Sequence, residues 1–154
     1  PKTNQPTPST STIASWNGLT PGVSNQRDVA DTLGKPKTSN GNTLSFDSQN
    51  PNFDNQVVTD AGVVDFLKEY VVPAQRRSSD EITSKYGVAQ NVLYGPDSTN
   101  GFYLFVYPSN GIAYLGNPNT KDVLEIWYFK PTTIGDFINK WAKGYSLTPL
   151  DRQF

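Results

Sequence analysis

The 154 residues contain no Cys, His or Met. Thiolate nucleophiles, imidazole bases and the nitrogen and sulfur ligands of most zinc, copper and iron sites are therefore missing. The chemistry left to this chain uses oxygen. Four carboxylates fall on predicted strands or turns where a general acid–base pair could form: Asp65, Glu69, Asp122 and Glu125. Asp65 and Glu125 alternate with Phe66 and Ile126, so a period-two reading turns both outward into solvent. The serines have no histidine to activate them, and Gly34-Lys35-Pro36 lacks the spacing of a phosphate-binding loop. Asp47, Asp54, Asp60 and Asp122 lie near turns and could offer oxygens to calcium, but they form no alternating acidic loop, and Asp at turns commonly bonds its own backbone. No catalytic residue, metal or cofactor is expected, and the protein reads as a non-enzyme.

Aromatic side chains carry the stronger signal. Thirteen of the nineteen lie after residue 90, so binding work is expected in the second half. Strand alternation sets Leu124, Ile126 and Tyr128 against Glu125, Trp127 and Phe129, and sets Phe102, Leu104 and Val106 against Tyr103, Phe105 and Tyr107. If one face of each strand covers the core, Tyr103, Tyr107, Trp127 and Phe129 form an exposed patch of a composition enriched in protein and sugar contacts. The competing expectation is that a C-terminal helix bearing Phe137 and Trp141 folds over these rings and makes them a second core layer.

The elements that must position these residues are legible as two similar runs. Residues 25–34, NQRDVADTLG, and residues 78–87, SSDEITSKYG, superimpose without a gap. Asn25 and Ser78 are N-cap residues with Asp28 and Glu81 three positions later, which is the pattern of a capping box. Val29 and Leu33, and Ile82 and Tyr86, form the apolar stripe, and Gly34 and Gly87 supply the stop. Each helix is followed by an Asn-Gly pair, Asn40-Gly41 or Asn100-Gly101, expected to open a strand, and then by a hairpin. The final strands match as residues 63–66 and 123–126. Residues 73–77 form the joint. Ile134, Phe137, Ile138 and Trp141 then follow at helical spacing behind Thr133 as cap.

The run Gly22-Val23-Ser24, Asp28-Val29, Leu33-Gly34-Lys35-Pro36 resembles the opening motif of the small outer-membrane lipoprotein domain of the BamE (SmpA/OmlA) family, in which a Val-containing helix ends in Leu-Gly-x-Pro before antiparallel strands. Tandem copies of such a unit resemble in architecture the β-lactamase-inhibitor protein family, whose repeats pool their strands into one sheet that binds a protein. The cysteines of that family are missing here, and no inhibitory loop maps onto these residues. The element order is also similar to that of uncharacterised bacterial lipoproteins. The resemblance implies a binding role without a cofactor.

Net charge is −1, which provides no field to gather phosphates, so nucleic acid is excluded as a partner. No apolar run reaches the length of a membrane span. Residues 1–12 are rich in Pro, Ser and Thr and carry no large apolar side chain, a composition that cannot offset ordering entropy. They read as a tether of the kind left once a signal or anchor is removed.

The expectation is thus an α+β protein of two αβββ repeats with antiparallel sheets packed on short helices, plus a C-terminal helix. Its parts are a tether (residues 1–14), a first repeat (15–73) and a second repeat carrying the helix (74–154). It is expected to be extracytoplasmic, at the cell surface or in the periplasm, and anchored upstream. It would present a sheet surface to a cell-envelope protein, with a glycan or cell-wall ligand for the strand aromatics as the alternative.

Overall fold

The computed structural model describes residues 12–75 and 77–149. Residues 1–11 of the expected tether, and Arg76 of the expected joint, lie outside the described residues. Residues 12–14 belong to the fold instead. Asn110 Nδ2 donates to the Thr12 carbonyl at 2.7 Å, the Ala14 N–H donates to the Asn110 carbonyl at 2.9 Å, and Ala14 is buried.

Helix α1 (Gln26–Leu33) starts as its sequence dictates. Asn25 Oδ1 accepts from the Asp28 N–H and the Asp28 carboxylate accepts from the Asn25 N–H, both at 2.9 Å. Helix α2 (Asp80–Tyr86) begins one residue later than its pattern suggests. Its cap is Ser79, which puts Ile82 rather than Glu81 at the third helical position, so no capping box closes, and Glu81 Oε1 accepts from Arg77 Nη2 at 3.2 Å. Helix α3 (Ile134–Trp141) is capped by Thr133, whose hydroxyl accepts from the Asp136 N–H at 3.1 Å.

Eight strands make one antiparallel sheet: β1 (Thr38–Asn40), β2 (Thr43–Phe46), β3 (Asn55–Asp60), β4 (Val63–Tyr70), β5 (Asn91–Leu93), β6 (Tyr103–Tyr107), β7 (Ile112–Gly116) and β8 (Val123–Phe129). Their order is β1-β2-β3-β4-β8-β7-β6-β5, with β4 and β8 paired in the middle from Phe66↔Phe129 to Tyr70↔Glu125. The α+β class holds, with four strands rather than three after each of the first two helices. Strand β1 is Thr-Ser-Asn, wholly exposed, and so has no apolar alternation to read. Asn40-Gly41 does not open a strand but turns β1 into β2, with Gly41 at φ 63. Asp60-Ala61-Gly62 is the expected hairpin turn; Ala61 and Gly62 take φ 51 and 82, the pair of positive angles that matches strand twist.

Core lies on both sides of this sheet. On one face, Val57, Leu67, Tyr107, Ile112, Ile126 and Tyr128 pack with Val29 of α1, Ile82 of α2 and Leu19 of the N-terminal segment. On the other, Phe66, Leu104, Val106, Ala113, Trp127 and Phe129 pack with Phe137 of α3.

A β-bulge decides the fate of one predicted outward carboxylate. Val58 pairs with Phe66 and Thr59 with Val64, leaving Asp65 as the extra residue on β4. Asp65 therefore turns to the α3 side together with Phe66, is only 4% exposed, and meets Lys140 Nζ at 2.9 Å and Lys130 Nζ at 3.3 Å. Phe66 stacks on Trp141 at 4.4 Å between centroids. The outward, solvated reading of Asp65 is wrong because strict alternation fails at a bulge.

Candidate functional site

Residues that pair directly across antiparallel strands share a face. Tyr107 pairs with Ile112, which pairs with Tyr128, so Tyr107 sits on the face covered by α1 and α2. Ala113 pairs with Trp127, which puts Trp127 and Phe129 on the α3 face. The four rings expected to form one patch are thus divided between two faces. Three of them are core: Tyr107 and Phe129 are 0% exposed and Trp127 is 3% exposed. The helix expected to bury a stripe does so here, with the Phe137 ring 4.6 Å from Phe129 and 6.0 Å from Trp127. Tyr103 alone keeps solvent contact, half-buried between Tyr94 at 5.1 Å and Phe105 at 6.4 Å.

An aromatic surface does exist, one strand pairing along from the predicted one. Beyond the end of α3, buried Trp127 becomes the floor of a platform. Lys68, its cross-strand neighbour on β4, holds its ammonium 4.6 Å above the indole and 5.8 Å from the Tyr70 ring. The Trp127 Nε1–H donates to Glu125 Oε1 at 2.8 Å, and Glu125 pairs with Tyr70 across the strands. Tyr145, from the segment after α3, stands edge-on to Trp127 at 6.0 Å. Phe53, from the β2–β3 loop, stacks on Tyr70 at 5.0 Å and 16° and is 52% exposed. Lys68, Tyr70, Glu125 and Tyr145 are all half-buried. Burial, with a contribution from the Glu125 charge, pushes both the Tyr70 and the Tyr145 phenol up to about 12. Both present a neutral hydroxyl at neutral pH.

The sequence did not point to Phe53, Tyr70 or Tyr145, because the loops that deliver Phe53 and Tyr145 have no periodicity. Continuing away from α3, the same sheet face carries Ser45, Gln56 and Lys68 in one row and Thr43 and Val58 in the next, all half-buried.

The remaining carboxylates serve ion pairs. Arg77 bridges Glu69 Oε2 at 2.9 Å and Glu81 Oε1 at 3.2 Å. Burial raises the Glu69 pKa by more than Arg77 and a hydrogen bond from Trp16 return. Burial also lowers that of Arg77, but its two glutamates outweigh the loss and leave it raised. Asp47 and Asp54, calcium candidates by sequence, both face Lys37, at 3.5 and 2.9 Å, so a cation from the chain itself stands where the metal would. Among the described residues no three acidic side chains converge as metal ligands, and no helix is long and apolar enough to cross a membrane.

No protein-family model matches this chain, and no curated protein matches it. Among solved structures it is similar to the crystal structure of YjgB, a DUF4309 family protein from Bacillus subtilis. The TM-score is 0.53 and the identity 12%, over 79% of this chain and 89% of that one. At that identity the likeness is one of fold.

Proposed function

We propose that the protein is a non-enzymatic, extracytoplasmic, lipoprotein-like module that binds a cell-envelope protein through the sheet face running from the Tyr70–Tyr145 platform onto β2 and β3. The platform carries this reading. Exposed Phe53 on Tyr70, with Lys68 and Glu125 at its side, combines aromatic anchors with a polar surround, the anatomy of a protein-binding hot spot. The Pro/Ser/Thr composition of residues 1–12 supports a tether to a surface.

The reading includes descent from two related αβββ-type units of the kind the BamE-like motif suggests. Three paired features support it. Gly34 and Gly87 end α1 and α2 with nearly the same backbone, φ 80 and ψ −152 against φ 83 and ψ −161. The two helix starts bridge the two final strands alike, Asn25 to Val63 and Ser78 to Asp122. Each final strand carries one extra residue near its start, Asp65 and Leu124.

The test is to replace Phe53 with a photo-crosslinking phenylalanine analogue in cells and identify the adduct by mass spectrometry. One envelope protein captured at Phe53, absent from a control at exposed Asp31 and lost in a Tyr70→Ala background, is the expected result. Equal capture at both positions ends the proposal.

A further inference from the structure

On the opposite side of the sheet, a cleft of about 500 Å³ opens between the Trp16 turn, the end of α1, the β2–β3 loop and the 3-10 turn Pro73–Gln75. A second lobe of about 300 Å³ adjoins it and shares Trp16, Leu33, Asp47 and Asn55. Both volumes lie in the range of small-molecule sites. The Trp16–Leu19 turn closes on itself through two backbone hydrogen bonds of 2.8 and 2.9 Å, with Leu19 buried as its anchor. The Trp16 side chain lies close enough to the Glu69 carboxylate to favour its charged form. The turn thus holds the backbone that carries the indole, and Trp16, half-buried, lines both lobes.

The chemistry of the walls narrows the ligand. Charges lining the larger lobe are already matched within the protein: Glu69 by Arg77, and Asp47 by Lys37. Arg77 is the one cation lining the larger lobe among the described residues, and Glu69 and Glu81 share it, so that lobe offers no spare positive charge to select a phosphate or a free carboxylate. The uncharged polar lining is Asn17, Ser48, Gln49, Asn55 and Gln75; Ser48 is bonded within its loop and Asn55 to the Tyr70 N–H, which leaves the exposed amides of Asn17, Gln49 and Gln75 to donate and accept. Gln75 Nε2 donates to Gln49 Oε1 and so joins the two sides of the cleft through one exchangeable hydrogen bond. An indole beside uncharged side chains that donate and accept complements a ring that is hydroxylated at its edge and apolar on its face.

We infer that this cleft is a binding site for a neutral sugar, with one ring stacked on Trp16 and its hydroxyls taken by Asn17, Gln49 and Gln75. Tyr70 of the platform also borders this cleft, but the sugar contacts proposed here are Trp16, Asn17, Gln49 and Gln75 and the platform's exposed anchor is Phe53, so either reading can fail without the other.

The test is an NMR titration of the full chain, following the indole N–H signals of Trp16, Trp127 and Trp141. The probes are cellotriose, maltotriose, the N-acetylglucosamine trimer and, as an acidic counterpart, the galacturonic acid trimer. At least one neutral trimer should shift the Trp16 signal at millimolar concentration and leave Trp127 in place, with the acidic trimer weaker. Gln49 and Gln75 are exposed, so the Gln49→Ala/Gln75→Ala variant should fold normally and bind about tenfold more weakly, the equivalent of one lost hydrogen bond. The inference is overturned if no neutral trimer moves Trp16, if the acidic trimer binds best, or if the double variant binds as well as the native chain.

Discussion

Trp127→Ala separates a core tryptophan from a binding one. The ring is 3% exposed, lies 5.7 Å from Phe66, 6.0 Å from Phe137 and 6.0 Å from Tyr145, and carries Lys68 on its face. Truncation to alanine removes those contacts, opens a cavity between α3 and the β4–β8 pair, and strands Glu125 without its indole donor. Large aromatic-to-alanine changes in cores cost about 3–5 kcal/mol. In a domain of this size each kcal/mol moves Tm by roughly 2–4 °C, so the expected drop is roughly 6–20 °C. That is a large share of the ~5–15 kcal/mol by which domains are stable. Urea unfolding followed by far-UV circular dichroism measures it without relying on the deleted fluorophore. The lost stability should come with an unchanged m-value, since the surface exposed on unfolding hardly changes. A loss below about 1 kcal/mol would refute the packing of α3 described above and return Trp127 to the surface.

Other outcomes follow from the same contacts. Asp65→Asn removes the anchor for Lys130 and Lys140; both lysines are half-exposed and can resolvate, so the cost should be modest, about 1–3 kcal/mol. It should show first as faster amide exchange in α3, and protection equal to the native helix would count against the anchoring role. Gly111→Ala places a Cβ at φ 73 and 2.2 Å from the Phe129 carbonyl, and should cost roughly 2–5 kcal/mol of strain and displacement by chemical denaturation. Alkali should unfold the protein before all its phenols titrate normally. Tyr70 and Tyr145 are pushed up to about 12 from 10.0, and burial raises Tyr128 as well. A raised folded pKa favours the protonated phenol, so this stability is intact below pH 10 and is lost as pH rises towards 12. Phenolate absorbance tracking a normal pKa in a still-folded chain would contradict it.

What was readable in the sequence was what is local. The caps of α1 and α3 and the glycine stops of α1 and α2 are written in nearby residues, and their hydrogen bonds form as that spacing requires. The α2 start was misread by one residue, because Ser78 and Ser79 are adjacent and residue type alone does not choose between two serines as cap. Alternation within β6 was correct: Leu104 and Val106 oppose Phe105 and Tyr107. Register between strands was not available. Whether Tyr107 shares a face with Trp127 or with Tyr128 depends on which residues of β7 lie between them, and a single residue of slip reverses the answer. The bulge at Asp65 escaped for the same reason, since it exists only relative to β3. The Trp16 cleft escaped because its walls come from turns, a loop and the ends of regular elements that are far apart in the sequence.

The β4–β8 pairing joins residues roughly sixty positions apart in the chain, while every other strand pair in the sheet is made with its neighbour in sequence. Each half of the sheet can therefore zip locally, and among the strand ladders only the central seam must wait for a long loop to close. A backbone cut between the halves would remove that loop without severing a single ladder. Two separately expressed pieces, one ending near Gln75 and the other beginning near Arg77, should find each other through the β4 and β8 edges, and their association would be the seam's free energy measured as a dissociation constant.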